Sequence, residues 1–413
     1  MANNDNPNII QVEDMMKFCE NHKALYIYDC KEPQQLIAKF LGMCNIEIKG
    51  MIVEDKNSCE AQSSRYPLKF IEEVVNETKP KKKLMSLGKD DQRKDVGIII
   101  SNDDYMYNYI YDKLTDAGLN ELYFLTEWNK RTIPHKMRPR TPDMFWLEVN
   151  IADHCNLNCQ CCDHFAPIAD KYLLDVDEFE KDMTRLADLM NGEMGIFKIQ
   201  GGEPTLHPQL IDFMRITREK FPKSTIFFFT NGILLLQKEN DPNGNLWQAM
   251  KDYDITLLVT TYPVKLNFEK LDSKAKEYEI KYNRFVAVGN RPTSEKSQIS
   301  AEDKMSVHHP FDLNGNVPKH QFVSCYQFNE SITLRHGKIY TCPFTPYVNY
   351  FNKYFNQNLE ITKNDYIDIY EAKTYEEIAE FCTHRADFCK YCDIKNREAK
   401  KFTISKKEIT EWT

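Results

Sequence analysis

The sequence predicts an α/β protein centred on a partial or full parallel β/α barrel, with a smaller parallel α/β layer in front of it. Three observations carry this. Strand-like apolar runs alternate with amphipathic helical stretches along most of the chain. From residue 144 onward the alternation gives five β/α-type units, too many crossovers for a small sandwich. Every motif with evident chemistry follows one of these later strands, and parallel barrels keep their sites at the carboxyl ends of their strands.

In the first layer, KALYIYD (23–29) reads as a buried strand. A helix follows, with Leu36, Ile37, Phe40 and Leu41 at helical spacing and Pro33 near its start. Residues 46–55, 95–101 and 121–125 read as three more strands, and 105–118 as a helix closed by Gly118. The basic run Lys79–Lys83 reads as a solvated loop. The first strand-to-helix turn, Tyr28 to Pro33, contains no glycine, so close backbone approach to a pyrophosphate is not expected there. This Rossmann-like domain (1–130) therefore reads as a structural or protein-docking module. The Pro-, Arg- and Lys-rich stretch 131–143 reads as a linker.

Beyond it, strands at 144–151, 195–200, 224–230, 254–262 and 283–288 alternate with helices at 176–190, 208–221, 245–253 and 268–279. Together they form an expected core domain, 144–304. The remainder, 305–413, reads as a separate carboxy-terminal domain.

Composition excludes several classes. With 42% hydrophobic and 12% aromatic residues the chain can bury real cores, which argues against disorder. A formal charge of -8 argues against broad nucleic-acid binding, which needs many cations to neutralise phosphates. No run approaches the roughly 18 to 20 apolar residues of a membrane helix. The amino-terminal residues lack the basic region and apolar core of a signal peptide. The expectation is a cytoplasmic protein without nucleic-acid or membrane partners.

Thirteen cysteines are unusual for such a chain and point to metal or catalysis. Cys19, Cys30, Cys44 and Cys59 are scattered. Cys155, Cys159, Cys161 and Cys162 crowd one loop, and Cys325, Cys342, Cys382, Cys389 and Cys392 occupy the last quarter. Cys155, Cys159 and Cys162 give C-x3-C-x2-C directly after a predicted strand. Three thiolates so spaced can converge on one iron–sulfur cluster and leave one iron open, with zinc as the alternative. Gly201-Gly202-Glu203-Pro204 ends the next strand. Its glycines permit close backbone approach, and its carboxylate can grip an ammonium group. Thr230-Asn231-Gly232 ends the third strand and adds a hydroxyl and an amide to the same mouth.

These three motifs, in this order and at these strand ends, resemble the radical S-adenosylmethionine superfamily. The resemblance covers roughly 144–290. It implies a partial parallel β/α barrel in which Cys155, Cys159 and Cys162 hold a [4Fe–4S] cluster whose open iron chelates S-adenosylmethionine. It further implies that Gly201, Gly202, Glu203 and Pro204 contact the cofactor's amino group and that Thr230 and Asn231 lie near its ribose. Cys161 stands where the superfamily often has an aromatic residue, and it reads as a bystander because only Cys162 keeps the expected spacing.

Cys325 and Cys342 flank a predicted hairpin turning at His336-Gly337, and Cys389-Lys-Tyr-Cys392 supplies a second pair. Four cysteines in two pairs fit either zinc or a fully ligated cluster. The pattern resembles the twitch auxiliary-cluster domain found after radical S-adenosylmethionine barrels, which implies a second [4Fe–4S] cluster on Cys325, Cys342, Cys389 and Cys392. Cys382 reads as a spare core thiol. CDHFAPIAD, FCKYCDI and the ending KKEITEW resemble members of the superfamily encoded among surface-glycan genes.

Smaller signals keep modest readings. Asp163, His164 and Tyr262 could face substrate, or serve as a cap, a loop imidazole and a wall. His308-His309 reads as solvent-facing and the aromatics of 347–356 as core or interface. No catalytic residue is assigned.

The implied activity is reductive cleavage of S-adenosylmethionine to a 5′-deoxyadenosyl radical, which abstracts hydrogen from a small or sugar-derived metabolite and leads to its oxidation. The implied electron source is an external reductant such as flavodoxin or ferredoxin. Peptide crosslinking or epimerisation is one rival, and a non-catalytic iron–sulfur protein another.

Overall fold

The computed structural model describes residues 7–78, 95–285 and 305–413. The basic run Lys79–Lys83 and the end of the stretch 283–288 lie outside them. The chain divides into two units, residues 1–138 with 318–324 and residues 139–317 with 325–413.

The first unit holds α1 (Pro7–Glu20), β1 (Ala24–Tyr28), α2 (Glu32–Met43), β2 (Gly50–Ile52), α3 (Cys59–Gln62), β3 (Leu68–Lys69), α4 (Ile71–Glu77), β4 (Val96–Ile100), α5 (Tyr107–Asp116), β5 (Leu122–Phe124) and α6 (Glu127–Met137). Its sheet runs β3-β2-β1-β4-β5, parallel throughout. Strands β1 and β4 are near-continuous apolar runs because such sheets are covered on both faces.

Two expectations change here. Helix α6 occupies most of the stretch read as a linker. Thr126 caps it by accepting from Asn129 N, and Asn129, Ile133 and Met137 bury one face at four-residue spacing. Pro134 sits inside this helix, so neither it nor the basic residues of 131–137 mark a break. In addition, residues 318–324 group with this unit, so 305–413 is not one continuous domain.

The second unit opens with β6 (Trp146–Asn150), α7 (Val176–Met190), β7 (Ile196–Gln200), α8 (Leu210–Lys220), β8 (Thr225–Thr230), α9 (Leu246–Asp252), β9 (Ile255–Thr260), α10 (Phe268–Glu277) and β10 (Tyr282–Phe285). Then come β11 (Met305–His308), β12 (Ile332–Arg335), β13 (Lys338–Tyr340), α11 (Val348–Phe355), β14 (Ile367–Asp368), α12 (Tyr375–Phe381) and β15 (Glu398–Lys401).

Strands β6 to β10 pair in sequence order, each parallel to the next. Strand β12 lies parallel to β6 on the other side and turns back through β13 to β14, giving an open eight-stranded sheet, β10-β9-β8-β7-β6-β12-β13-β14. The expected hairpin at His336-Gly337 forms, with φ of 50° and 68° in a tight turn. It extends the barrel sheet rather than founding a separate layer. Strands β11 and β15 form their own antiparallel ribbon.

One face of the large sheet is apolar. Leu147, Val149, Phe197, Ile199, Ile226, Phe228, Leu257 and Val259 pack against Phe179 and Met183 of α7, Phe213 of α8 and Trp247 of α9. The strands alternate, so Glu148, Asn150, Lys198, Gln200, Phe227 and Phe229 belong to the opposite face. A second core gathers Phe165, Phe311, Phe344, Tyr347, Phe351, Phe388 and Trp412, so Tyr347, Tyr350 and Phe351 of 347–356 are core, whereas Tyr354 is exposed. Among the described residues no helix is long and apolar enough to cross a membrane.

Candidate functional site

Three consecutive strand ends converge on one cavity of about 170 Å³. Cys155, Cys159 and Cys162 line it from the loop after β6, Gly201, Gly202 and Glu203 from the end of β7, and Thr230 and Asn231 from the end of β8. Tyr262, just past β9, and His164 complete the wall. The Tyr262 ring rests on Phe402 at 5.1 Å, and burial first, then the Cys159 thiol, hold its hydroxyl well above the ordinary phenol range.

Cys161 has φ of 56° and is buried at 6% exposure, away from this lining. Its charged neighbours are Lys400, Glu411, Asp163 and Glu398, and burial above all pushes its thiol up to about 12.

The paired glycines lie directly against neighbouring backbone. A Cβ on Gly201 would meet the Ala152 carbonyl oxygen at 2.4 Å, and one on Gly202 the His154 carbonyl oxygen at 2.3 Å. Gly202 N donates to Ala152 O and Glu203 N to His154 O. Glycine is therefore required for backbone to lie on backbone, seating the second motif against the approach to the cysteine loop.

Glu203 is buried and fully hydrogen-bonded within the protein. Its carboxylate, 1% exposed, accepts from Thr205 N, Thr205 Oγ1 and Thr230 Oγ1 on one oxygen and from Asn231 N on the other. Burial pushes its pKa up while these four donors pull it back. The carboxylate ties two strand ends together. An ammonium ligand here would look to backbone carbonyls of the same stretch. Asn231 is engaged as well: its Nδ2 donates to Asn156 Oδ1 at 2.7 Å and lies 3.8 Å from Cys155 Sγ.

The carboxy-terminal cysteines form a second group. Cys342, Cys389 and Cys392 are each raised first by burial and then by the charge of thiols within the set, Cys325 included. The three raised thiols resist ionising together, whereas bound cationic iron would reverse that preference. Among the described residues no three His, Cys, Asp or Glu side chains are close enough to hold a single metal ion. Cys382 lies in the main apolar core, 2% exposed.

Several supports were missed in the sequence. Residues 403–405 run alongside the cysteine loop, with Gln160 N donating to Thr403 O and Ser405 N to Asn158 O. Trp412 Nε1 donates to Cys162 O at 3.1 Å. Asp163 accepts from Gln327 Nε2. His308 and His309 are buried at 6% and 5% exposure, not solvent-facing, and His309 Nε2 meets Tyr326 Oη at 3.0 Å. In the first unit a cavity of about 320 Å³ opens at the carboxyl ends of β1, β2 and β4, where strand order reverses. Asp29, Glu54, Asp55, Glu60 and Asp103 among its lining make it hostile to phosphate, in keeping with the missing glycine turn.

Comparison with known proteins adds one family. Residues 149–262 match the model of the Radical SAM superfamily. The chain is 23% identical over 228 residues to a GTP 3′,8-cyclase of Limosilactobacillus fermentum, spanning 43% of this chain and 67% of that one. It is 35% identical over 98 residues to a GTP 3′,8-cyclase of Chlorobaculum tepidum, 23% of this chain and 28% of that one. Among solved structures, BtrN in complex with AdoMet and 2-DOIA aligns over 60% of this chain and 93% of its own at 18% identity, TM-score 0.37. Streptococcus suis SuiB bound to precursor peptide SuiA aligns over 59% and 73% at 12% identity, TM-score 0.28.

Proposed function

We propose that this chain, which carries a radical SAM domain and so works with a [4Fe–4S] cluster and S-adenosylmethionine, oxidises a small, sugar-derived metabolite. When bound, these groups supply a 5′-deoxyadenosyl radical, using one electron from a flavodoxin- or ferredoxin-type reductant, and a second cluster supplies an acceptor for the electron that the substrate radical releases with a proton.

The residues divide the remaining work. Cys155, Cys159 and Cys162 would hold the first cluster, leaving one iron open. The backbone of Gly201 to Pro204 would receive the methionyl ammonium, and Thr230 and Asn231 would border the ribose. Glu203 keeps the second and third strand ends in register. Tyr262 and Phe402 close one wall against water. Cys325, Cys342, Cys389 and Cys392 would hold the second cluster with a full set of thiolates, leaving no iron open for substrate.

The observation that carries this reading is the meeting of three thiols, the GGE backbone and Thr230-Asn231 in one cavity. The test is anaerobic reconstitution followed by iron analysis and assay of 5′-deoxyadenosine. Replacing Cys155, Cys159 or Cys162 with Ala should remove about four irons per chain and abolish 5′-deoxyadenosine formation. Cys161→Ala should retain both. Activity in Cys162→Ala with none in Cys161→Ala would overturn the ligand assignment.

A further inference from the structure

Asn231, just past the end of β8, is tied down at three of its atoms. Its backbone N donates to Glu203 Oε2 at 2.9 Å, which anchors it to the stretch after β7. Its Oδ1 accepts from Ile233 N at 3.0 Å. That bond settles which way the amide faces: the oxygen meets the N–H, so the nitrogen turns the other way. It turns toward the cysteine loop. One N–H of Nδ2 reaches Asn156 Oδ1 at 2.7 Å, which leaves the second for Cys155 Sγ at 3.8 Å.

The surroundings give this contact weight. Asn231 is 6% exposed, so little water competes for its amide. Asn156 Oδ1 also stands 3.8 Å from the same sulfur, and a free acceptor there would repel a thiolate. Asn231 occupies that oxygen with one N–H while offering the other to the sulfur. Leu157 N, at 3.4 Å, adds a backbone donor from the loop itself. The Asn231 amide differs in kind, because it comes from another strand end and a single substitution deletes it.

The chemistry of a cluster ligand gives such a donor a direction. Cys155, Cys159 and Cys162 line one cavity, as ligands of a single cluster must. Hydrogen bonds to the sulfurs are among the influences that set a cluster's reduction potential. Reduction adds negative charge that the thiolates share, so a donor to sulfur strengthens on reduction and favours the reduced form.

We infer that Asn231 is a positioning residue that tunes the first cluster, raising its reduction potential through a hydrogen bond to the Cys155 thiolate. This rests on the radical reading for the presence of that cluster. It assigns the Asn231 amide to the cluster ligand and leaves the backbone at this strand end to border the ribose.

The test is a redox titration of the anaerobically reconstituted protein, followed by electron paramagnetic resonance. The first cluster is recognised by the change in its signal when S-adenosylmethionine is added. Asn231→Leu removes the donor at similar volume, and Asn231→Asp turns a carboxylate oxygen toward the sulfur. The potential should fall in the order wild type, Asn231→Leu, Asn231→Asp. In Asn231→Leu the equilibrium constant for one-electron reduction should drop roughly three- to tenfold, about 30 to 60 mV at 59 mV per decade. A merely structural role would weaken the signal without that order.

An unchanged potential in both variants would overturn the inference, as would a higher potential in Asn231→Asp than in Asn231→Leu. Lost S-adenosylmethionine affinity at unchanged potential would overturn it too, and would give the amide to the ribose. Should neither variant take up the cluster, wild-type protein carrying 15N in its asparagine side-chain amides decides. Pulsed electron paramagnetic resonance of its reduced first cluster should show a 15N coupling, and absence of that coupling overturns the inference. Wild-type protein that forms 5′-deoxyadenosine while both variants keep its potential defeats this inference alone. Wild-type protein that assembles the cluster and shows the ordered shift, yet never forms 5′-deoxyadenosine, defeats the radical reading alone.

Discussion

Thr230 Oγ1 donates to Glu203 Oε1 at 2.6 Å, joining two motifs that lie at the ends of adjacent parallel strands. Thr230 accepts in turn from Gly232 N at 3.0 Å, and Asn231 N donates to the other Glu203 oxygen. The second and third strand ends are thus cross-linked through one buried carboxylate. Glu203 thereby sets the spacing of the two strand ends that line the cavity.

Glu203→Gln should therefore act first on stability. An amide in place of the carboxylate turns one hydrogen-bond acceptor into a donor among four donors, a loss of about 1–3 kcal/mol. Chemical denaturation of the apoprotein should reveal this, with weaker S-adenosylmethionine binding alongside it. Weakened binding in a variant of unchanged stability would return Glu203 to the ligand.

The strand ends were legible because each motif is contiguous and follows a short apolar run, as in FKIQ before Gly201. The hydrogen bonds that organise them were not, because Glu203 and Thr230 are 27 residues apart and meet only through strand register. Helix α6 was hidden by composition: Pro134 and the basic residues of 131–137 outweighed the periodicity of Asn129, Ile133 and Met137. Helix α1 carries a plain helical pattern in Ile9, Val12, Met16 and Cys19 that was read only for the absence of a signal peptide. The polar row on the other face of the large sheet was visible in principle. Glu148 and Asn150, like Lys198 and Gln200, alternate with core residues at the two-residue period of a strand.

Asp153 and Arg335 fix the hairpin to the approach of the cysteine loop. The contact is bidentate, at 2.8 and 2.6 Å, and Tyr350 Oη donates to the same carboxylate. The two side chains are 0% and 9% exposed. Arg335→Leu leaves that carboxylate buried without its counter-charge and should cost about 3–5 kcal/mol in denaturant unfolding. Arg335→Lys keeps the charge but loses the fork and should fall between that variant and the wild type. A cost under about 1 kcal/mol for Arg335→Leu would show that Asp153 is satisfied without it.

Asp182 on α7 accepts from Tyr370 Oη at 2.6 Å and from the hairpin glycine, Gly337 N, at 2.7 Å. Burial raises its pKa above the ordinary 3.8. Tyr370, Gly337 N and His336 act to lower it, and Glu178 to raise it. A carboxyl with a raised native pKa binds its proton more tightly folded than unfolded. Its contribution is complete below the unfolded value and is lost as pH rises through the folded one. Asp182→Asn keeps the shape and does not titrate. The difference in urea midpoint between wild type and variant should therefore shift against the wild type as pH rises through that window. Parallel profiles would show that Asp182 has no raised pKa.

The last prediction concerns the second cysteine group. Cys342, Cys389 and Cys392 each sense Cys325, and the partly buried Cys342 and Cys392 pack against an aromatic core that includes Phe388 and Trp412. Four thiolates complete a cluster and leave no iron for a substrate atom, which suits electron transfer or structural support rather than substrate anchoring. These two roles separate in a Cys389→Ala, Cys392→Ala double variant. If the group takes up an electron, the variant should still make 5′-deoxyadenosine without substrate, and with substrate it should form no oxidised product. Iron content should fall by about four per chain, with the signal of the first cluster retained in electron paramagnetic resonance. Loss of metal ligands also removes folding free energy, so that retained signal is the control that the rest of the unit stands. Trp412 Nε1 bonded to Cys162 O offers a second control, because Trp412 packs in the same aromatic core. An unchanged indole emission in the variant would report that the core persists. A full yield of oxidised product from protein lacking the second cluster would end the electron-acceptor role and favour redox-neutral chemistry at the first site.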